Sequence, residues 1–120
     1  MGQKKIVLVD TDIFIKVFRG HIGHKKNLDM LEGRIAVSVI TVLELYQGVS
    51  SKKRKYELEK QLKAYQILPL TEQISLASVL LMKKYLPENS LLPPDGLIAA
   101  TALNHEVQLY TDNKKDFRLY

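Results

Sequence analysis

Residues 6–12 read IVLVDTD. Ile6, Val7, Leu8 and Val9 are apolar in succession, with no polar position between them, which marks a strand covered on both faces. The run stops at Asp10, and Asp12 follows two positions later. A strand buried on both faces belongs to a parallel sheet with helices on either side, and in such sheets functional groups gather beyond the carboxyl ends of the strands. The rest of the chain can be tested against that expectation.

Short apolar runs rich in β-branched residues alternate with longer stretches of helical period. Ile13, Phe14, Val17 and Phe18 give a helical face that Gly20 ends, residues 21–26 read as a basic loop, and Leu28, Met30 and Leu31 as a short helix stopped by Gly33. Residues 35–40 read as a second strand and 41–47 as a helix, interrupted at 48–51. A charged helix follows, with Tyr56, Leu58, Leu62 and Tyr65 as its apolar positions. Residues 67–70 make a third strand, weakened by Pro69. Ile74, Leu76, Ala77, Leu80, Leu81 and Tyr85 mark an amphipathic helix ending before Pro87, and residues 88–92 a loop. Pro93-Pro94-Asp95 opens a last helix, and residues 107–110 read as a fourth strand. This alternation predicts an α/β fold with a central parallel sheet of about four to five strands, flanked by helices on both faces, in one domain spanning residues 1–120.

The chain has 120 residues, 46% hydrophobic and 26% charged, which is globular composition with enough length to bury a core. It has no cysteine, so thiolate zinc sites, thiol catalysis and a disulfide framework are excluded. No apolar run approaches a signal peptide or a membrane span, and the expectation is a soluble cytoplasmic protein. The net charge of +5 favours polyanions without identifying one.

Each acid at a strand end or helix start has a structural explanation of its own. Asp10 is a good N-cap for the helix that follows, and Asp12 suits its first turn. Thr41 and Glu44 have the spacing of a capping box, and that pattern taken alone favours structural service for Glu44. Asp95 complements a helix N-terminus, while Gly96, Ala99, Ala100 and Ala102 let that helix approach the sheet closely. Asp112 suits a turn, and Asp116 a surface position beside Phe117. Their joint placement is what these explanations leave over. In a parallel sheet Asp10, Glu44, Asp95 and one of Asp112 or Asp116 converge, and close carboxylates raise one another's pKa values unless a cation is present. Oxygen ligands suit Mg²⁺ or Mn²⁺. His21, His24 and His105 stand in loop or helix-end contexts and read as surface residues.

Four stretches in order, VLVDTDIFI, VSVITVLELYQG, PPDGLIAATAL and LYTDNKKDF, resemble the PIN-domain ribonucleases, most closely the VapC-type toxins of toxin–antitoxin pairs. The resemblance covers nearly the whole chain. It implies a PIN-like fold and a metal-dependent endoribonuclease that hydrolyses RNA phosphodiesters with Mg²⁺, or Mn²⁺, as cofactor. It implies that Asp10, Glu44 and Asp95 bind metal and act in catalysis. Asp116 is favoured as the fourth acid, with Asp112 as its substitute. Asp12, standing where Asn is common, Thr111 and Asn113 are placed as supporting residues around the acids, and Gly96 stands where Ala is common. Residues 21–26, Lys52, Lys53, Arg54, Lys114, Lys115 and Arg118 are candidate RNA contacts, although the stretch from 51 to 60 also reads as a solvated helix face. The resemblance further implies a homodimer and a small antitoxin partner, and no membrane association. Two alternatives stand beside it. One is a catalytically silent PIN-like module that binds RNA or protein. The other is a haloacid-dehalogenase-type phosphatase, for which Asp10 and Asp12 would be nucleophile and general acid but Glu44 would have no role.

Overall fold

The computed structural model describes residues 5–88 and 91–112. In chain order the elements are β1 (Val7–Val9), α1 (Thr11–Phe18), α2 (Ile22–Met30), β2 (Ile35–Ser38), α3 (Val39–Gln47), α4 (Lys52–Leu62), β3 (Gln66–Leu68), α5 (Glu72–Tyr85), α6 (Pro93–His105) and β4 (Gln108–Tyr110). The described strands form one four-stranded sheet of order β3-β2-β1-β4, and each neighbouring pair is parallel. Val7 is in register with Ile35 on one side and with Gln108 on the other. Every strand therefore ends on the same edge of the sheet.

Strand alternation distributes the core between the two faces. Val9, Ile35 and Val37 pack with Ile13 and Phe14 of α1, Leu28 of α2, Leu45 of α3, and Leu58 and Leu62 of α4. Leu8, Ala36 and Leu68 turn the other way, onto Ile98 and Ala102 of α6. A further cluster joins α5 to α6 through Ile74, Leu81, Ala99 and Ala100. Central β1 is buried throughout, as its uninterrupted apolar run requires, whereas β3 and β4 at the edges are partly exposed.

The structure departs from local sequence patterns at several boundaries. Residues 21–26 are not a loop. They open α2, whose first turn is capped by the His21 ring accepting from the His24 amide at 3.4 Å. Gly20, at φ 89°, separates it from α1 in a conformation that favours glycine. Strand β2 stops at Ser38, whose hydroxyl accepts from the Ile40 amide at 3.1 Å, so α3 starts before Thr41. Thr41 is consequently an interior helix residue, fully buried, and the Thr41–Glu44 capping box does not form. The third strand ends at Leu68, before Pro69, which has no amide to give a ladder.

In α6 the small residues act on two fronts. Ala102 lies against the sheet, whereas Gly96 faces α5, where an added Cβ would meet Met82 Sδ at 3.2 Å. That contact is with the flexible end of a partly buried thioether, which can shift by the few tenths of an ångström needed. Replacing a helical glycine by alanine favours the helix by roughly 1 kcal/mol. Gly96→Ala should therefore raise the unfolding midpoint in a urea titration, and a lowered midpoint would show that Met82 cannot yield.

Candidate active site at the carboxyl edge of the sheet

Asp10 follows the last residue of β1 and stands at the N-cap position of α1 with extended backbone, φ −69° and ψ 151°. Its carboxylate makes no side-chain cap bond. Instead Oδ2 accepts from the hydroxyl of Thr111, the residue after β4, at 2.7 Å, and the Asp10 amide donates to the Tyr110 carbonyl at 2.9 Å. The capping explanation thus accounts for the position of Asp10 in the chain, but not for the direction of its side chain.

Both partners are nearly inaccessible, Asp10 at 4% and Thr111 at 5% exposure. Burial pushes the Asp10 carboxyl up from 3.8 to about 6. The Thr111 hydroxyl and the Thr11 amide oppose this by stabilising the anion, while the charges of Asp12 and Asp95 add to it. Asp95 reaches this neighbourhood from the first turn of α6, where its Oδ2 also accepts from the Leu92 amide at 3.2 Å. It is both a helix-terminus acid and a member of the site. Asp12 is exposed on the first turn of α1.

Glu44 projects from the second turn of α3. Its Oε1 accepts from the hydroxyl of Thr11, the residue after Asp10, at 2.8 Å. Thr41 Oγ1 is 2.9 Å from the same hydroxyl. An ionised carboxylate only accepts, so Thr11 gives its proton to Glu44 and takes that of Thr41. Freed from capping, Glu44 is turned toward the end of β1.

Asp112 is engaged differently. Its Oδ2 is held by Lys16 Nζ and by His24 Nε2, the latter at 2.6 Å. The Lys16 hydrogen bond, reinforced by His24 against a smaller cost of burial, lowers the Asp112 carboxyl below its ordinary value. His24 is therefore not a surface bystander, since its side chain is only 13% exposed. Thr11, Thr41, Lys16 and His24 had no local signature, because each acts through a partner distant in sequence. Asn113 and Asp116 lie outside the described residues, as do Lys114, Lys115 and Arg118. Lys52, Lys53 and Arg54 occupy the exposed first turn of α4, at the positive end of its dipole, where helix stability alone would not place them.

Among the described residues, no three His, Cys, Asp or Glu side chains come together closely enough to hold a metal ion by themselves. The donors present nevertheless suit Mg²⁺, which prefers oxygen, keeps several waters, and is usually bound by one or two carboxylates plus substrate phosphate. A carboxyl lifted by burial, and further by neighbouring negative charge, is stabilised as the anion by such a cation.

Folding raises the Asp10 pKa, so the folded state holds this proton more tightly than the unfolded chain does. Its stabilising contribution is complete below pH about 4 and is lost as pH rises through about 6. At pH 7 the difference corresponds to about 3 kcal/mol of destabilisation. Asp10→Asn in EDTA should therefore be more stable than the wild type at pH 7, by up to about 3 kcal/mol in denaturant unfolding, and equal to it near pH 4. A variant less stable at pH 7 would show that the carboxylate is not under this stress.

Known proteins share this sequence pattern and this fold. A family profile described as the PIN domain matches residues 7–120. The ribonuclease VapC1 of Methanocaldococcus jannaschii is 30% identical over 116 residues, covering 96% of this chain and 81% of that protein. A toxin–antitoxin complex from Klebsiella pneumoniae contains a chain 32% identical, with TM-score 0.81, covering 92% of this chain and 89% of its own. VapBC2 from Rickettsia felis, bound to a DNA fragment from its promoter, contains a chain 26% identical with TM-score 0.81, covering 94% and 92%.

Proposed function

The chain belongs to the PIN-domain family, and on that premise we propose that it is a metal-dependent endoribonuclease, the toxin of a VapBC-type toxin–antitoxin pair. The observation that carries the metal-dependent part is the buried Asp10, its pKa raised to about 6 by burial and by the nearby negative charges of Asp12 and Asp95, with Glu44 brought alongside through Thr11. Asp10, Glu44 and Asp95 would hold Mg²⁺ or Mn²⁺ from three different elements, with Asp116 as the fourth acid. Asp112 is the weaker candidate because its carboxylate already serves Lys16 and His24. A bound Mg²⁺ supplies Lewis-acid stabilisation of the phosphodiester and lowers the pKa of the attacking water.

The chain's own residues do the positioning. Thr111 fixes one oxygen of Asp10 and leaves the other directed by the burial around it. Thr11 fixes one oxygen of Glu44, leaving the second for a ligand. Lys52, Lys53 and Arg54, with Lys114 and Lys115, offer phosphate contacts that bring a polyanion to an acidic centre. Family membership leaves the phosphatase alternative without support, and that mechanism had no use for Glu44.

A small antitoxin protein is the proposed partner, and the cytoplasm the proposed compartment. No described helix is long and apolar enough to cross a membrane. A homodimer is supported by α5, whose outer face carries Leu76, Val79 and Leu80, each more than half exposed. These residues stand three and four apart on one stripe, opposite the Ile74, Ser78 and Leu81 side that faces the core.

Incubating antitoxin-free protein with total RNA should give discrete fragments in Mg²⁺ or Mn²⁺ and none in EDTA. Asp10→Asn and Asp95→Asn should each abolish cleavage while remaining folded. Cleavage that persists in EDTA or in both variants would contradict a carboxylate–metal mechanism. Leu80→Glu should halve the mass measured by light scattering, and an unchanged mass would move the dimer interface away from α5.

A further inference from the structure

Three successive residues at the end of β4 are each tied to another element. Tyr110 accepts at its phenol oxygen from Asn27 Nδ2 at 2.9 Å, and its carbonyl takes the Asp10 amide. Thr111 donates to Asp10 Oδ2 at 2.7 Å. Asp112 Oδ2 is gripped by Lys16 Nζ from α1 and by His24 Nε2 from α2. His24 is itself held in place. Its Nδ1 lies 2.6 Å from His21 Nδ1, and its ring lies within 11° of parallel to that of Tyr110.

These contacts close a ring. Asp10 stands at the N-cap position of α1, Lys16 lies on that same helix, Lys16 reaches Asp112, and the neighbour of Asp112, Thr111, returns to Asp10. Such a ring has a physical use here. Among the described strands, β4 is three residues long and pairs with β1. The end of a short strand is where local opening is easiest. A change of Thr111 to another staggered rotamer would remove its hydroxyl from Asp10. Lys16 is well exposed, so its ion pair gives little stability, and its value lies in geometry.

We propose that Lys16 and His24 are positioning residues which, through Asp112, hold Thr111 on Asp10 and so set the direction of the metal-binding carboxylate. The proposal rests on the reading of Asp10 as a metal ligand.

The test combines Lys16→Met with His24→Leu in one protein and uses Lys16→Arg as the conservative control. Two quantities are measured that a merely structural ion pair would not move. The first is the Thr111 side-chain three-bond coupling by NMR in metal-free protein. The second is the calorimetric Mn²⁺ affinity. The wild type should show one Thr111 rotamer. The double variant should show an averaged coupling and bind Mn²⁺ on the order of 10-fold more weakly, with its unfolding midpoint in EDTA unchanged. Lys16→Arg should resemble the wild type in both. A single Thr111 rotamer in the double variant, or an unchanged Mn²⁺ affinity, overturns the proposal. Failure of Mn²⁺-loaded wild type to cleave RNA would instead sink the ribonuclease reading, and these two readouts would still decide the positioning role.

Discussion

Everything at the carboxyl edge of the sheet is organised by one buried carboxylate and the hydroxyl that faces it. Asp10 ends the central strand, is closed off from solvent, and meets Thr111 at 2.7 Å across 101 positions of sequence. A lone buried acid of this kind would ordinarily be neutral or paired with a cation. Among the described residues no basic side chain compensates it, and the neighbouring charges there are Asp12 and Asp95. Strain of this kind, kept at a site and offset by packing elsewhere, is what a binding or catalytic centre retains when stability alone would have removed it.

The sheet explains how the centre is assembled from such distant pieces. Because β1, β2 and β4 run parallel, Asp10, the start of α3 and Thr111 all emerge on one edge. Helix α3 then brings Glu44 back to Thr11 at the end of β1, and α6, whose short side chains let it sit close to both the sheet and α5, brings the charge of Asp95 to bear on Asp10. One half of the site thus rests on a fully buried strand and the other half on a short, partly exposed one. Side-chain ties hold both ends, from Thr11 to Glu44 after β1, and from the β4 end to Asn27, Asp10, Lys16 and His24.

Much of this was readable in the chain. The run from Ile6 to Val9 marked the central strand, Gly20 and Pro93 marked helix limits, and the acids at strand ends marked the edge that matters. Local pattern failed where two local solutions compete. Ser38 and Thr41 are both good caps, and the end of β2 selects Ser38, which releases Glu44 for Thr11. The basic stretch after Gly20 looked like a loop because its charges hide a helix that only the His21 cap and Leu28 burial anchor. His24 looked idle because its partner lies 88 positions away. Only the resemblance distinguishes Asp112 from Asp116 as the fourth acid: the Asp112 carboxylate is engaged by Lys16 and His24, and Asp116 lies outside the described residues.

The central claim is that Asp10 is a carboxylate poised for a divalent cation. It is tested most directly by calorimetric titration of Mn²⁺ into metal-free protein, in buffers of differing ionisation enthalpy, which counts the protons displaced. With Asp10 at about 6, each ion bound at pH 6 should release about half a proton, falling towards zero by pH 8. Binding at pH 6 without proton release would contradict the claim, because the ion would then be held by groups other than Asp10.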